Sequence, residues 1–171
     1  AQLAAYANGS SHWQQAELDL SHAAEPLPIV FVYTGMGPQW WAMGRELMRE
    51  NPLFMASVKK CDELFIRYAG WSIVEEMLKD ESESRMSETE VAQPANFVIQ
   101  VPLTELWRSW GIQPDAIVGH SAGEVAAAYA AGALSLQEAV RVIYHRSRLQ
   151  QLTTGQGKLV AVGLSEDEAR Q

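Results

Sequence analysis

This sequence has little cysteine, no long apolar run and no cluster of basic residues. Its single cysteine, Cys61, has no second cysteine in the sequence with which to form a disulfide, and one thiolate is too few for a metal cluster. Such sparse use of cysteine is typical of proteins in reducing compartments. No stretch approaches the roughly 18 consecutive apolar residues of a membrane-spanning helix, and the N-terminus lacks a secretory signal pattern. These absences predict a soluble, cytoplasmic protein with no metal site.

The shortage of basic residues also bears on the class of partner. The chain has 13 Lys and Arg against 21 Asp and Glu, for a net charge of −8. Half of this excess lies in the polar segment Asp80–Glu90, which is typical of a solvated loop. Because no basic run could follow a phosphate backbone, the sequence argues against nucleic acid as a partner.

The 171 residues, 47% of them hydrophobic, are enough for a full core. Short apolar runs at Ile29–Tyr33, Asp115–Gly119 and Leu159–Val162 predict strands, the first of them buried on both faces. Helical patterns separate these runs. Strands that alternate with helices predict an α/β fold with a parallel sheet.

Several local signals predict where the helices lie. Apolar residues at helical spacing over Pro52–Tyr68 include Cys61, which is therefore expected to be a small buried residue rather than a reactive thiol. Pro94 predicts the first turn of a helix that runs to Trp110 and ends at Gly111, with a kink at Pro102.

The remaining helices begin at capping boxes or end at glycine. Ala122–Ala131, followed by Gly132, predicts a helix of small residues. Ser135–Glu138 and Ser165–Glu168 are capping boxes, the first opening a helix that runs to about Gln151. The tryptophans that follow the first strand and close the long helix are expected to be core and helix-packing residues, with a ligand-stacking set as the alternative: Trp40, Trp41, Trp107 and Trp110.

One motif predicts chemistry. Gly119–Gly123 reads GHSAG, which fits G-x-S-x-G, and it lies between a predicted strand and a predicted helix. In this context the serine occupies a sharp turn that exposes its hydroxyl, and the glycines allow the strand and the helix to pass closely. The helix N-terminus behind Ser121 offers free N–H groups to a developing oxyanion. Ser121 is therefore the candidate nucleophile, and a structural serine in a turn is the alternative.

Four motifs occur in order along the chain. They are Gly35-Met-Gly-Pro-Gln-Trp40, Val91-Ala-Gln-Pro-Ala95, Gly119-His-Ser-Ala-Gly-Glu124 with the small residues to Gly132, and Arg146. Together they resemble the acyltransferase domain of type I polyketide synthases and fatty acid synthases, the malonyl/acyl-CoA:acyl-carrier-protein transacylase family. The resemblance implies a hydrolase-like α/β core. It also implies an enzyme that transfers an acyl group from CoA to a carrier-protein phosphopantetheine through a seryl ester.

The same resemblance implies roles for individual residues. Ser121 is the nucleophile, and the backbone N–H groups of Met36 and Ala122 form the oxyanion hole. Arg146, which follows Ser121 by 25 residues, pairs with the free carboxylate of the extender unit, so that malonyl is the expected substrate and methylmalonyl stays open as the alternative. The other expected pocket residues are Gln93, Gln39 and His120, and a structural role is equally open for Gln39.

The resemblance also implies a wider context. Residues 1–27 would be the end of a ketosynthase–acyltransferase linker, 28–156 the N-terminal part of the hydrolase-like core, and 157–171 the start of a ferredoxin-like subdomain. The expected partners are acyl-CoA, the acyl carrier protein, the adjacent ketosynthase and linker, and the remaining half of the acyltransferase domain. No directly bound cofactor is expected.

The family's general base is a histidine far downstream of the nucleophile, and none of the four histidines here (His12, His22, His120 and His145) occupies that position. We therefore expect the 171-residue chain alone to be a weak catalyst. Two alternatives stay open at this point: a serine esterase that uses the same turn, and an inactive docking fragment.

Overall fold

The computed structural model describes residues 27–157 and 163–170. The helices that it describes, in chain order, are α1 (Arg45–Glu50), α2 (Pro52–Ala69), α3 (Ile73–Leu78), α4 (Thr89–Ser109), α5 (Gly123–Ala130), α6 (Leu136–Gln151) and α7 (Glu166–Ala169). A short 3-10 turn lies at Glu81–Glu83. The predicted N-terminal linker, apart from Leu27, and the predicted strand Leu159–Val162 lie outside the described residues.

Two parallel strands, β1 (Val30–Tyr33) and β2 (Ala116–Gly119), form the sheet that the structure describes. They pair from Val30 opposite Ala116 to Tyr33 opposite Gly119. This confirms the predicted α/β fold with parallel strands. Because the strands run in the same direction and in register, the turns that follow them start side by side at one edge of the sheet.

The strand β1 differs from its prediction in burial. Tyr33 is buried and Phe31 packs against the core cluster, but Val30 and Val32 are 49% and 66% exposed. The expectation of a strand buried on both faces is therefore wrong for the part of the chain that the structure describes. Side chains alternate across a strand, so only every second residue of β1 faces the helices.

Helices α2, α4 and α6 pack against one another and hold most of the core. The predicted stripe of α2 is confirmed, since Phe54, Val58, Cys61 and Phe65 are all buried. Asn51 caps the start of this helix by accepting a hydrogen bond from the Phe54 N–H, and Pro52 occupies its first position, where no N–H is needed.

Helix α4 begins at Thr89, five residues before Pro94. The prediction that Pro94 lies in the first turn is therefore wrong, and both Pro94 and Pro102 lie inside the helix. Each proline removes only one backbone hydrogen bond, whereas all eight residues from 91 to 98 are buried. Burial of this segment outweighs the local preference for a helix start at proline.

The acidic segment is less solvated than predicted. Arg85 pairs with Glu88 at 2.6 Å and with Glu90, and it lies 6.0 Å from the ring centroid of Trp71. The last acidic residues belong to the start of α4, with Glu88 as its N-cap. One arginine thus offsets several carboxylates, and the segment forms part of the helix junction rather than a free loop.

The tryptophans also differ from the prediction. Trp40, Trp107 and Trp110 are 55%, 43% and 59% exposed, and Trp41 is half-buried. Trp107 and Trp110 contact each other edge to face, with ring centroids 5.2 Å apart. The part of the prediction that placed these residues in the core is therefore wrong for the described chain.

The predicted capping box that opens α6 and the predicted glycine after α5 are both confirmed. Ser135 and Glu138 form a reciprocal capping box at the start of α6, and Gly132 after α5 has a φ of 76°. None of the described helices combines the length and apolar composition needed to span a membrane.

Candidate active site

Ser121 lies in the sharp turn between β2 and α5. Its φ is 54°, and it is the one non-glycine residue with a positive φ in the described ranges. L-residues rarely adopt this left-handed conformation, and such strain concentrates at functional positions. The predicted strand–serine–helix turn is thus present, with the serine half-buried.

The glycines on either side of Ser121 are required by close backbone contacts. A Cβ atom at Gly123 would lie 2.3 Å from the carbonyl oxygen of Tyr33, and one at Gly119 would lie 2.6 Å from Cα of Glu124. No side chain fits at either position. The two glycines therefore allow α5 to start directly against the ends of both strands.

Arg146 brings a positive charge to the serine. Its Nη2 donates a hydrogen bond to Oγ of Ser121 over 3.1 Å, and its Nη1 donates to Oε1 of Gln93 over 2.5 Å. Gln93 is buried on α4, and Arg146 extends from α6. Three residues that the sequence separates by up to 53 positions thus form one hydrogen-bonded group.

The glycine turn after β1 forms the second wall of the site. A Cβ at the buried Gly35 would lie 3.0 Å from Cβ of Ser121, so this turn passes directly beside the serine. Gln93 Nε2 donates a 3.5 Å hydrogen bond to the sulfur of Met36. Within the described residues, neither the Met36 N–H nor the Ala122 N–H has an acceptor.

Two predicted pocket residues do not bond to the serine–arginine group. Gln39 accepts hydrogen bonds from the Gly37 N–H at 2.7 Å and from Asn96 at 3.4 Å, so it ties the glycine turn to α4. His120 is exposed, and its Nδ1 lies 3.5 Å from where a Gly35 Cβ would be. The geometry gives Gln39 a structural contact and places His120 at the rim of the turn.

The histidines within the described ranges do not hydrogen-bond to Ser121. His120 faces the glycine turn, and His145 packs its ring 4.9 Å from that of Tyr144. His12 and His22 lie outside the described residues. Across these same ranges no three His, Cys, Asp or Glu side chains come close enough together to hold a metal ion.

Gln150 belongs to the site, although sequence reasoning missed it. Its Oε1 accepts hydrogen bonds from Gln93 Nε2 at 2.7 Å and from Arg146 Nη1 at 3.1 Å. The available signal was its position four residues after Arg146, which places both on one face of α6. Many exposed glutamines have such a neighbour, so this signal alone is weak.

Helix α6 also positions Arg146 through its buried face. Ile143 and Ser147 are buried, and the side chain of Arg146 between them is half-buried. A guanidinium in this position is partly shielded from water, which strengthens its interaction with an anion. The arrangement therefore combines the hydroxyl of Ser121, the candidate nucleophile, with a cation beside it and two backbone N–H groups that lack acceptors within the described residues.

The family described as "Acyl transferase domain" matches residues 30–171. Among curated proteins, the highly reducing polyketide synthase sdnO of Sordaria araneosa is 45% identical over 154 residues, 87% of this chain and 5% of that protein. Erythronolide synthase EryA2 of Saccharopolyspora erythraea is 39% identical over 143 residues, 84% of this chain and 4% of that protein. The chain thus spans about a twentieth of these relatives.

Solved structures agree with the sequence matches. A loading acyltransferase from the avermectin modular polyketide synthase is 42% identical, with a TM-score of 0.69 over 74% of this chain and 40% of that one. A malonyl-CoA:ACP transacylase from Synechocystis sp. PCC 6803 is 31% identical, with a TM-score of 0.66 over 75% of this chain and 42% of that one. By sequence and by fold, the chain belongs to the acyl transferase domain family, as that family occurs in type I polyketide synthases.

Proposed function

We propose that this chain loads a malonyl extender unit from CoA onto an acyl carrier protein, with Ser121 as the nucleophile. The observation that carries the proposal is the hydrogen bond from Arg146 Nη2 to Ser121 Oγ at 3.1 Å. A malonyl group bound to this oxygen has its free carboxylate only one methylene beyond the ester carbonyl. A guanidinium beside the oxygen is therefore within reach of that carboxylate.

The reaction divides into two acyl transfers. In the first, Ser121 Oγ attacks the thioester carbonyl of malonyl-CoA, a C–O bond forms, the C–S bond breaks, and CoA leaves as the thiol with a proton. In the second, the phosphopantetheine thiol of the carrier protein attacks the seryl ester, a new C–S bond forms, the ester C–O bond breaks, and the proton of the thiol passes to Ser121 Oγ. This is ping-pong nucleophilic catalysis through a covalent ester.

The backbone stabilises the oxyanion in both steps. We assign this role to the N–H groups of Met36 and Ala122, which lie on the two turns beside Ser121 and lack acceptors within the described residues. The side chain of Met36 plays no part in such a bond, so a methionine at this position is compatible with the role. The general base is the downstream histidine that the family resemblance implies, and not His120 or His145.

Arg146 supplies selectivity for an anionic acyl group. Charge-assisted hydrogen bonds from a guanidinium to a carboxylate are stronger than neutral ones, and an acetyl group offers no carboxylate to accept them. An esterase for neutral substrates gains nothing from a half-buried cation beside its nucleophile. The arginine therefore favours malonyl transfer over the esterase alternative.

The wider scheme follows from the family. We propose the acyl carrier protein and the neighbouring ketosynthase with its linker as partners, acyl-CoA as the donor, and no directly bound cofactor. Residues 28–156 would then contribute to the hydrolase-like core, and 157–171 to a ferredoxin-like subdomain.

The test is the acyl preference of an Arg146→Ala variant of the complete natural protein. We expect kcat/KM for malonyl-CoA to fall roughly 100-fold, because a charge-assisted interaction contributes about 1.5–3 kcal/mol, while transfer of acetyl changes little. Arg148→Ala, an exposed arginine two residues along α6, is the matched control. A variant that lost Arg146 and kept the malonyl preference would overturn the proposal.

A further inference from the structure

The carboxamide of Gln150 connects Arg146, which donates a hydrogen bond to Ser121, with Gln93. Gln150 lies one helical turn after Arg146 on α6, and its Oε1 accepts from Arg146 Nη1 at 3.1 Å and from Gln93 Nε2 at 2.7 Å. A single oxygen thus connects helix α6 to the buried glutamine of α4. Gln150 itself is exposed.

These contacts fix one side of the Arg146 guanidinium. Nη1 carries two hydrogens, and it has two acceptors, Oε1 of Gln93 at 2.5 Å and Oε1 of Gln150 at 3.1 Å. Nη2 donates to Ser121, and Nε donates to no group in the described part of the chain. A substrate carboxylate can therefore bind through Nε and Nη2 while Nη1 stays anchored to the protein.

Gln150 also fixes the orientation of Gln93. The Gln93 side chain is 1% exposed, and its Nε2 donates to Gln150 and to the sulfur of Met36 at 3.5 Å. Without Gln150, this buried amide would keep only a thioether, a weak acceptor. Its oxygen would then no longer be held towards Arg146.

The neutrality of Gln150 matters as much as its position. Both oxygens that hold Nη1 belong to amides, so they orient the guanidinium without cancelling its charge. A carboxylate at the same place would accept the same hydrogen bonds and would also compete with the substrate for the arginine.

We propose that Gln150 is a positioning residue for Arg146 and thereby sets how strongly the site prefers an acyl group with a free carboxylate. This inference rests on the proposed function, in which Arg146 binds that carboxylate. Gln150 acts through the arginine and does not touch the reacting atoms.

The experiment compares Gln150→Leu and Gln150→Glu in the complete natural protein, with malonyl-CoA and acetyl-CoA as donors. We expect Gln150→Leu to lower kcat/KM for malonyl about tenfold, mainly through KM, because one hydrogen bond to a charged group is lost. Gln150→Glu keeps the shape and the acceptor, and we expect it to lower malonyl transfer further. Acetyl transfer should stay within about twofold in both variants, since acetyl does not use the anion site.

Controls separate the possible outcomes. Gln137→Leu and Gln137→Glu make the same changes at an exposed glutamine near the other end of α6, and labelling of Ser121 by a fluorophosphonate reports a folded site. Equal losses for malonyl and acetyl, or an unchanged malonyl-to-acetyl ratio, would overturn the role of Gln150. If Arg146→Ala also kept the malonyl-to-acetyl ratio of the parent, the proposed function itself would fail. If this ratio fell in Arg146→Ala but not in the Gln150 variants, the role of Gln150 would fail and the proposed function would stand.

Discussion

At the residue scale, the backbone of Ser121 is held in a conformation that an L-residue avoids. A left-handed φ costs about 1–2 kcal/mol, and the turn offsets this cost through local hydrogen bonds. The Gly123 N–H donates to the His120 carbonyl at 3.0 Å, and the His120 N–H donates to the Tyr33 carbonyl at 2.9 Å. These bonds anchor the turn on both sides, so the hydroxyl is presented in one position.

Cys61 is a residue for which burial predicts an absence of reactivity. Burial raises the pKa of its thiol to about 12, so at pH 8 only about one molecule in 10,000 carries a thiolate. We expect iodoacetamide at pH 8 to leave the native protein unmodified and to alkylate Cys61 fully in denaturant, as measured by intact mass. Rapid alkylation of the folded protein would show that Cys61 is accessible after all.

The residues of the site differ in how well their roles can be predicted from the sequence. Ser121 stands in a motif with its flanking glycines, and Gln93 and Arg146 stand in segments that resemble a family. Gln150 has no such signal, because its role depends on the packing of α4 against α6, which local sequence does not specify. The same limit explains the tryptophans, since large aromatic residues suit both a core and an exposed surface.

At the scale of elements, the site depends on the approach of α5 to the ends of β1 and β2. Gly123 starts this helix so close to β1 that a Cβ there would lie 2.3 Å from the carbonyl oxygen of Tyr33. The strands place the two turns side by side, while α4 and α6 supply Gln93 and Arg146. The two strands and helices α2, α5 and α6 were predictable from periodicity, glycine and capping signals, whereas α1 and α3 were not predicted. The early start of α4 was not predicted either, because its buried segment overrides the helix-breaking tendency of Pro94.

Gly123→Ala tests this approach. The new methyl group would lie 2.3 Å from a backbone oxygen that cannot move without shifting β1, so we expect the free energy of unfolding to fall by about 3 kcal/mol. Urea unfolding measures the change. Gly157→Ala, where a Cβ would meet nothing within 4 Å, serves as the control and should stay within about 0.5 kcal/mol of the parent.

Removal of the capping box of α6 tests how much this cap stabilises the helix that carries Arg146. Ser135→Ala removes the hydroxyl that accepts from the Glu138 N–H, and we expect a loss of about 1 kcal/mol in the free energy of unfolding at pH 7. The exposed Ser87→Ala is the control.

The pH dependence of this cap has a defined sign. Hydrogen bonds from the Ser135 hydroxyl and N–H lower the pKa of Glu138 in the folded protein. The stabilisation of the folded protein by ionised Glu138 is therefore complete above the ordinary carboxyl pKa. It is lost as the pH falls through the lowered pKa of Glu138 in the folded state. The difference between parent and Ser135→Ala should narrow below about pH 4, and a difference that widened in acid would contradict the capping role.

At the scale of the whole molecule, the fold gathers a serine, an arginine and a glutamine from distant parts of the chain at one sheet edge. The family resemblance of the ordered motifs predicted this group. The parallel sheet accounts for the two turns that lie side by side, and α4 and α6 supply Gln93 and Arg146. The exposed face of β1 was not predictable, because a short apolar run has the same sequence pattern whether one or both faces of the strand are covered.

The most direct measurement is peptide mass spectrometry of the complete natural protein after incubation with malonyl-CoA. We predict one malonyl group on the peptide that contains Ser121, its absence in Ser121→Ala, and its release when a carrier-protein phosphopantetheine thiol is added. A malonyl group carried by a different residue, or malonyl transfer that persists in Ser121→Ala, would contradict a seryl ester at this turn.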